Sequence, residues 1–446
     1  MRRAFFVTTL AAALQLTAFG RSSAPDTQAF TDATGEVRTF STNGAIDLRN
    51  PFFQSLGTNG RSCGSCHQAS DAWSITPAHV QARFDADGGL DPIFRTNDGS
   101  NSPLADVSTV EARKEAYNML LNKGLIRVGI GIPENAEFEL TEVDDPYGYA
   151  SASELSLFRR PLPSTNLAFL SAVMWDGRET LANQSVHFDL SDQANGATLG
   201  HAAAANPLSD TQREAIVDFE TSLFTAQSKD FEAGNLQTQG AKGGPIQLSA
   251  QAYYVGINDT LSPGFNPASM DMFDTWSDVR SSSRERFADA RQSVARGETL
   301  FNTFPIQISG VRGLNDVLGQ ETITGTCTTC HDAPNVGNHS VALPLDIGVA
   351  SESRRTPDLP LYTFRNKTTG ETIKTTDPGR ALITGKWKHM SLFKGPILRA
   401  LAARPPYFHN GSAAALRDVV EFYNDRFQLN LSNEQKRDLV AFLRSL

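Results

Sequence analysis

The chain of 446 residues is long enough for about two or three domains, and its composition, 40% hydrophobic and 20% charged, is that of an ordinary globular protein. The formal net charge of −9 disfavours nucleic acid and anionic membrane surfaces as main partners. No apolar stretch beyond the N-terminal segment approaches the ~20 residues that span a bilayer, so the sequence predicts no membrane span.

Residues 1–20 are the first predicted element, a secretory signal peptide. Arg2 and Arg3 give this segment a positive start, a largely apolar run extends from Phe5 to Ala18, and small residues follow. Because such a segment is removed on export, we expect a soluble mature protein that is periplasmic if the source is a Gram-negative bacterium.

All four cysteines fall in two Cys-x-x-Cys-His motifs. The motifs are Cys63-Gly64-Ser65-Cys66-His67 and Cys327-Thr328-Thr329-Cys330-His331. Two thiols at this spacing can form thioethers to the two vinyl groups of one haem, and the adjacent histidine can bind the iron. A dithiol redox motif and a single zinc site built from all four thiolates are alternatives. The two histidines, the lack of a spare cysteine and the export signal favour two covalently attached c-type haems.

The two halves of the chain follow a similar plan around these motifs. Helix-like runs precede both motifs, from Asn50 to Leu56 and from Arg291 to Phe301, and a packing helix is predicted from Glu434 to Leu446. Residues 85–150 are rich in Gly, Asp, Pro and Asn around one helical segment, which indicates a long insertion of loops. The Gly- and Gln-rich residues 233–245 are the best linker candidate.

These features together resemble the bacterial di-haem cytochrome c peroxidase and MauG family. Besides the two haem motifs, the resemblance rests on three segments in order: Trp175-Asp176-Gly177-Arg178 with Gln184 after it, Pro405-Pro406-Tyr407-Phe408-His409-Asn410-Gly411, and Phe422-Tyr423-Asn424. It implies a mostly α fold with two cytochrome c-like domains packed around a pseudo-two-fold axis and long loop insertions. The domains would be residues 21–240, with the peroxidatic haem, and 241–446, with the electron-transfer haem.

The resemblance also implies roles for single residues. His67 and His331 would be the proximal iron ligands. Trp175 matches the tryptophan that relays electrons between the haems, although a buried core aromatic is the alternative. Gln184 matches the glutamine of the peroxide pocket, and its alternative is an exposed polar residue on a helix.

The sequence departs from the classical peroxidases at the first haem. Those enzymes carry a histidine shortly before the Pro-led segment that closes this haem until reduction. Here residues 156–160 contain no histidine, and His79 lies on the wrong side of the insertion. We therefore expect a first haem that is open without activation, as in MauG-like proteins.

A second departure concerns the sixth ligand of the second haem. Tyr423 stands where the peroxidases have methionine, and MauG uses tyrosine there. A phenolate ligand would lower the reduction potential. A tyrosine merely packed near the haem is the alternative, and Met390 is a competing ligand.

The glutamate that the family uses as acid and base in the peroxide pocket has no clean match. His201 is the favoured substitute and His187 the second candidate, because histidine titrates in the right range. His409 lies in a family motif and is expected to be structural. The family often binds calcium between its domains. The asparagine expected to contribute falls near Arg160 here, so calcium binding is not expected at that side chain, and a calcium ion elsewhere between the domains stays an alternative.

The resulting functional expectation is a periplasmic peroxidase that reduces hydrogen peroxide with electrons from a small donor protein, a cytochrome c or a cupredoxin. Two alternatives stay open. One is a MauG-like enzyme that modifies a protein or oxidises an organic substrate. The other is a non-catalytic di-haem electron-transfer cytochrome.

Overall fold

The structure is a computed structural model that describes residues 23–24, 27–279 and 287–446. The signal peptide predicted for residues 1–20 lies outside these ranges. Within them, no helix is both long and apolar enough to cross a membrane.

The described residues contain eleven α-helices. They are α1 (Pro77–Asp87), α2 (Val110–Ala116), α3 (Asn118–Lys123), α4 (Val186–Gly200), α5 (Asp210–Thr221), α6 (Pro245–Ser249), α7 (Ala288–Thr303), α8 (Asn315–Leu318), α9 (Ala381–Thr384), α10 (Leu416–Arg426) and α11 (Asn433–Arg444).

The same residues form thirteen β-strands, all paired antiparallel. They are β1 (Ser23–Ala24), β2 (Thr27–Thr31), β3 (Gly35–Ser41), β4 (Ile46–Asp47), β5 (Ile126–Ile130), β6 (Phe138–Asp144), β7 (Leu155–Arg159), β8 (Leu223–Asp230), β9 (Gly234–Asn235), β10 (Ile306–Ser309), β11 (Thr322–Gly325), β12 (Leu361–Asn366) and β13 (Thr372–Thr375).

The expectation of a mostly α fold is wrong, because 31% of the structure is helix and 17% is strand. Part of the strand content lies in the long insertion, which was expected to be loops but carries β5 and β6. Strand β6 pairs with β12 from the other half of the chain. The apolar side chains of Phe138 and Phe364 are fully buried at this pairing. The insertion is therefore an ordered sheet that ties the two halves together.

A four-stranded sheet in the order β2-β3-β8-β9 supports the first haem motif. Its strand β3 carries Thr39, whose hydroxyl accepts a 2.9 Å hydrogen bond from the indole nitrogen of Trp73. Trp73 packs against Phe52, from the predicted run before the motif, and against Phe219 of α5. Burial of these three large aromatic side chains stabilises the fold beside the motif.

Helices α7 and α11 form the core beside the second motif. Phe301 of α7 and Phe442 of α11 pack with ring centroids 5.4 Å apart. A Cβ atom at Gly297 would lie only 2.0 Å from the carbonyl oxygen of Asp438, so the close approach of the helices requires glycine there. The predicted C-terminal packing helix is confirmed as α11. The domain boundary between residues 240 and 241 stays a prediction.

Candidate functional site

The two Cys-x-x-Cys-His motifs line separate cavities. The first cavity is lined by residues that include Cys63, Cys66, His67, Asp98, Trp175, Gln193, His201 and Glu220. The second cavity is lined by residues that include Cys327, Cys330, His331, Trp175, Phe393, Lys394, Arg404, His409 and Tyr423. The first wall also includes Arg61, Arg159, Arg160 and Arg178, and the second also includes Arg160, His339 and Asp346. Most of the remaining lining residues are apolar.

The first motif folds as a single turn of 3₁₀ helix at Cys63–Ser65. The hydroxyl of Ser65 accepts a 3.0 Å hydrogen bond from the amide of Ser62, which closes the turn. The imidazole Nδ1 of His67 lies 2.9 Å from the carbonyl oxygen of Trp73, so Nδ1 carries the proton in this contact. Nε2 of His67 is then the nitrogen left for a metal.

The second motif repeats this arrangement at Cys327–Thr329. The hydroxyl of Thr329 accepts a 2.9 Å hydrogen bond from the amide of Thr326, and Nδ1 of His331 lies 2.6 Å from the carbonyl oxygen of Gly337. Burial lowers the pKa of His331 to about 4, and burial lowers the pKa of His67 to the same value. Both imidazoles are therefore neutral at pH 7, the form in which histidine binds metals.

The cysteines do not form a common metal site. Each pair lines its own cavity, so four thiolates cannot surround one zinc ion. Burial raises the pKa of Cys63, Cys327 and Cys330 to about 12, whereas a reactive dithiol needs a lowered thiol pKa. Both observations disfavour the zinc and dithiol interpretations of the sequence.

Trp175 lies in the wall of both cavities. Its indole nitrogen donates a 2.8 Å hydrogen bond to the carbonyl oxygen of Arg160. Its own carbonyl oxygen accepts a 2.9 Å hydrogen bond from the amide of Lys394. Its ring meets that of His409 edge-on, with centroids 6.1 Å apart. The indole is thus held in one orientation by contacts from both halves of the chain.

A buried ionic network fixes the segment that carries Trp175. The guanidinium of Arg159 donates to Asp176 and, at 2.7 Å, to Asp377. Burial alone would raise the pKa of Asp176, but the charges of Arg159 and Arg178 outweigh burial and hold that pKa below its ordinary value. Removing one partner of such a buried pair leaves a charge uncompensated at a cost of about 3–5 kcal/mol.

His201 follows α4 and lines the first cavity. Its Nδ1 hydrogen-bonds to Asp98, whose other carboxylate oxygen pairs with Arg61. Burial alone would raise the pKa of Asp98, but its contacts with His201 and Arg61 outweigh burial and lower it. Gln193, on the same face of α4, also lines this cavity. Asp98, Arg61 and Gln193 were not singled out from the sequence.

The other polar candidates for the first cavity lie elsewhere. Gln184 is exposed in the turn before α4 and does not line the cavity. Gln193 of α4 lines it instead. His187 is half-exposed on α4, with its Nε2 3.3 Å from Glu214. The half-exposed His79 pairs with Asp71.

Tyr423 and Met390 differ in where they lie. Tyr423, on α10, lines the second cavity together with His331. Met390 is fully buried in the core around Phe138 and Trp387 and does not line that cavity. Burial raises the pKa of the Tyr423 phenol well above its ordinary value.

The position expected to contribute to a calcium site holds the buried side chain of Arg160. Its guanidinium donates to the carbonyl oxygens of Ile75, Lys123 and Arg404 at 2.7, 3.0 and 3.2 Å. A guanidinium has no acceptor atom and cannot be a calcium ligand. His409 is also buried, and its ring stacks on that of Phe393 with centroids 4.1 Å apart, a packing contact.

No family model matches the sequence. Over 140 residues, or 29% of the chain, the sequence is 32% identical to a cytochrome-c peroxidase of Denitromonas iodatirespirans, and the alignment covers 38% of that relative. Over 145 residues, or 30% of the chain, it is 30% identical to a cytochrome c551 peroxidase of Nitrosomonas europaea, with 37% of that relative covered. The chain therefore matches well under half the length of these relatives.

Among solved structures, the chain is similar to a MauG-like protein associated with microbial copper homeostasis. The match covers 89% of this chain and 87% of that protein at 13% sequence identity, with a TM-score of 0.38. A TM-score this low does not establish a shared fold.

Proposed function

The chain is related to bacterial cytochrome c peroxidases, and from this premise we propose that it is a periplasmic di-haem c-type peroxidase. It reduces hydrogen peroxide at the first cavity and takes electrons from a small donor protein, a cytochrome c or a cupredoxin, through the second. The reaction consumes one peroxide, two protons and two electrons and releases two water molecules.

The residues present fit one haem in each cavity. Each wall offers two cysteines at the thioether spacing and a neutral histidine with Nε2 free to bind iron. The second cavity also contains a buried donor without a partner, Nε of Arg404, of the kind that a haem propionate would satisfy. When bound, the haems supply the redox chemistry and the peroxide-binding iron.

The position of Trp175 is the observation that carries the proposal. One aromatic ring borders both cavities and is anchored by hydrogen bonds from Lys394 and to Arg160. A rigid indole between two redox centres offers a path for electrons from the second cavity to the first. We assign Trp175 this relay role.

His201 is the proposed acid and base of the first cavity. Asp98 engages Nδ1, so Nε2 is the atom that accepts a proton from one peroxide oxygen and delivers it to the other. Arg61 holds Asp98 in place, and Asp98 is therefore a positioning residue. Among the described residues, His67 and His201 are the only histidines that line this cavity, which supports the proposal that peroxide can reach the first haem.

Steady-state kinetics of the haem-loaded protein with a reduced small cytochrome test this proposal. We expect two donor molecules oxidised per peroxide consumed. In Trp175→Phe, peroxide should still oxidise the first haem in a single turnover, but exchange of electrons with the second haem should slow. Absence of peroxide consumption with both haems loaded would contradict the proposal. Reaction with peroxide but no donor oxidation would instead favour a substrate-oxidising enzyme.

A further inference from the structure

A third cavity lies between the first and the second. It shares Glu220 with the first cavity, and Lys394 and Arg404 with the second. Its wall also includes Arg399, which is buried. Positively charged side chains therefore gather at the junction of the three cavities.

The hydrogen bonds that Lys394 and Arg404 donate there go to neutral backbone carbonyls. Nζ of Lys394 donates a 2.9 Å hydrogen bond to the carbonyl oxygen of Ala172. Nη2 of Arg404 donates at 2.6 Å to the carbonyl oxygen of Ile397, while its Nε is buried without a partner. In the described ranges, neither cation forms a salt bridge. Both side chains are half-buried because each borders a cavity.

No carboxylate on the cavity walls pairs with either cation. Among the described residues, Glu220 is the only acidic residue that lines the third cavity and Asp346 is the only one that lines the second. Burial raises the pKa of Glu220 to about 7, and burial also raises the pKa of Asp346. Burial lowers the pKa of Lys394 to about 7 and that of Arg404 to about 10, since no carboxylate offsets the loss of hydration. Two cations held this way are costly unless an anion joins them.

We propose that Lys394 and Arg404 form a carboxylate seat that binds propionate groups of the haem attached to Cys327 and Cys330. This inference rests on the proposed function, because it requires a haem in the second cavity. A propionate at this place would accept from Nζ of Lys394 and from the unpaired Nε of Arg404. The shared chemistry is carboxylate binding, and a free anion from solution is the competing occupant.

The carboxylate seat of Lys394 and Arg404 also lies next to Trp175, the proposed electron relay. The amide of Lys394 donates to the carbonyl oxygen of Trp175, so the propionate contact and the indole are fixed by the same residue. The positive charge near the second iron favours its reduced form and raises its reduction potential.

Redox titration of the haem-loaded protein, followed in the visible spectrum, tests the seat. Lys394→Met should make reduction of the second haem about tenfold less favourable in its equilibrium constant. For one electron this lowers the reduction potential by about 59 mV. Lys394→Arg should restore the potential because it keeps the charge. Lys388→Met is the matched control, since Lys388 is exposed on the same segment and outside the second cavity.

An unchanged potential in Lys394→Met would overturn the seat. A reduction potential of the wild-type second haem that changes with phosphate concentration would also overturn the seat, because a free anion would then occupy the site. A crystal structure of the haem-loaded wild type needs no variant, and it should place propionate oxygens within hydrogen-bonding distance of Lys394 Nζ and Arg404 Nε. Haem content, measured as the pyridine haemochrome, separates the two proposals: two haems with no such contact refute only the seat, and no haem refutes the proposed function.

Discussion

The first and second cavities are built alike around their histidines and differently elsewhere. In both, a one-turn helix is followed two residues later by a histidine whose Nδ1 donates to a backbone carbonyl. The first cavity then adds His201 and Gln193, whereas the second adds the phenol of Tyr423 together with the buried imidazoles of His339 and His409. In the proposed function, His201 would transfer protons in the first cavity and Tyr423 would be a further ligand for iron in the second.

This difference shows how one repeated motif can serve two tasks. In the proposed function, the repeated part would hold the cofactor and its proximal ligand. The residues contributed by other elements, those of or next to α4 in one half and of α10 in the other, would then set the difference between the two sites. Variants that change one cavity at a time separate the two tasks.

The largest effect is expected from removing one haem. Cys63→Ala with Cys66→Ala should reduce peroxide consumption to the background rate, since the proposed function places the reaction with peroxide at the first cavity alone. Cys327→Ala with Cys330→Ala should leave single-turnover reaction with peroxide and abolish turnover with a donor protein. Stopped-flow absorbance measures both. Equal peroxide reactivity in the two double variants would show that the cavities are not specialised.

The next effect concerns the proton-transfer group. His201→Gln should slow the reaction with peroxide by about 10²–10⁴-fold, the usual contribution of a general acid and base. His187→Gln is the matched control, because His187 lies half-exposed on α4 away from the cavity wall. The rate constant for peroxide binding and cleavage is measured by stopped flow. A rate in His201→Gln equal to that of the control would remove His201 from the mechanism.

The second cavity is tested at Tyr423. If the phenolate binds iron, Tyr423→Phe should make reduction of the second haem about a hundredfold more favourable in its equilibrium constant. This raises the reduction potential by about 118 mV. Met390→Leu should leave the potential and the spectrum unchanged and cost less than about 1.5 kcal/mol of stability, because Met390 packs in a core remote from the cavity wall. The opposite pattern would assign the ligand to Met390.

The smallest effect is a pH dependence from Glu220. Burial raises its pKa from 4.5 to about 7, so the folded protein binds a proton that the unfolded chain has lost. Its contribution to stability is present below pH 4.5 and falls as the pH rises towards 7. Because of Glu220, the unfolding free energy of the wild type should fall by about 2 kcal/mol between pH 5 and 7. Glu220→Gln should abolish that fall.

Denaturant unfolding of the haem-loaded protein at the two pH values measures this loss. Glu214→Gln, at a half-exposed position of the same helix α5, should keep the wild-type pH dependence. Identical pH profiles for the two variants would mean that Glu220 is ionised in the folded protein.

The sequence predicted the parts of the site that local spacing determines. The two haem motifs and the C-terminal helix depend on residues close in the chain. The pairing of β6 with β12 could not be read from the sequence, because it joins strands more than 200 residues apart. The alternation of the apolar Phe138 and Leu140 with the polar Glu139 and Thr141 was a signal that a strand rather than a loop begins at Phe138.

The tertiary contacts around the first cavity could not be predicted from the sequence either. Asp98 lies in the insertion and meets His201 across 103 positions, so nothing local marks it as a partner. Gln184 matched a motif position, yet Gln193 faces the cavity because the start and phase of α4 determine which side chain points inwards. Helix phase is set by packing, which a motif match does not reveal.

The most direct test of the division between the cavities is an electron paramagnetic resonance spectrum of the oxidised, haem-loaded protein before and after one equivalent of hydrogen peroxide. We predict one high-spin haem, at the first cavity, and one low-spin haem, at the second, with the high-spin signal lost on addition of peroxide. Two low-spin haems that do not respond to peroxide would contradict an open first site.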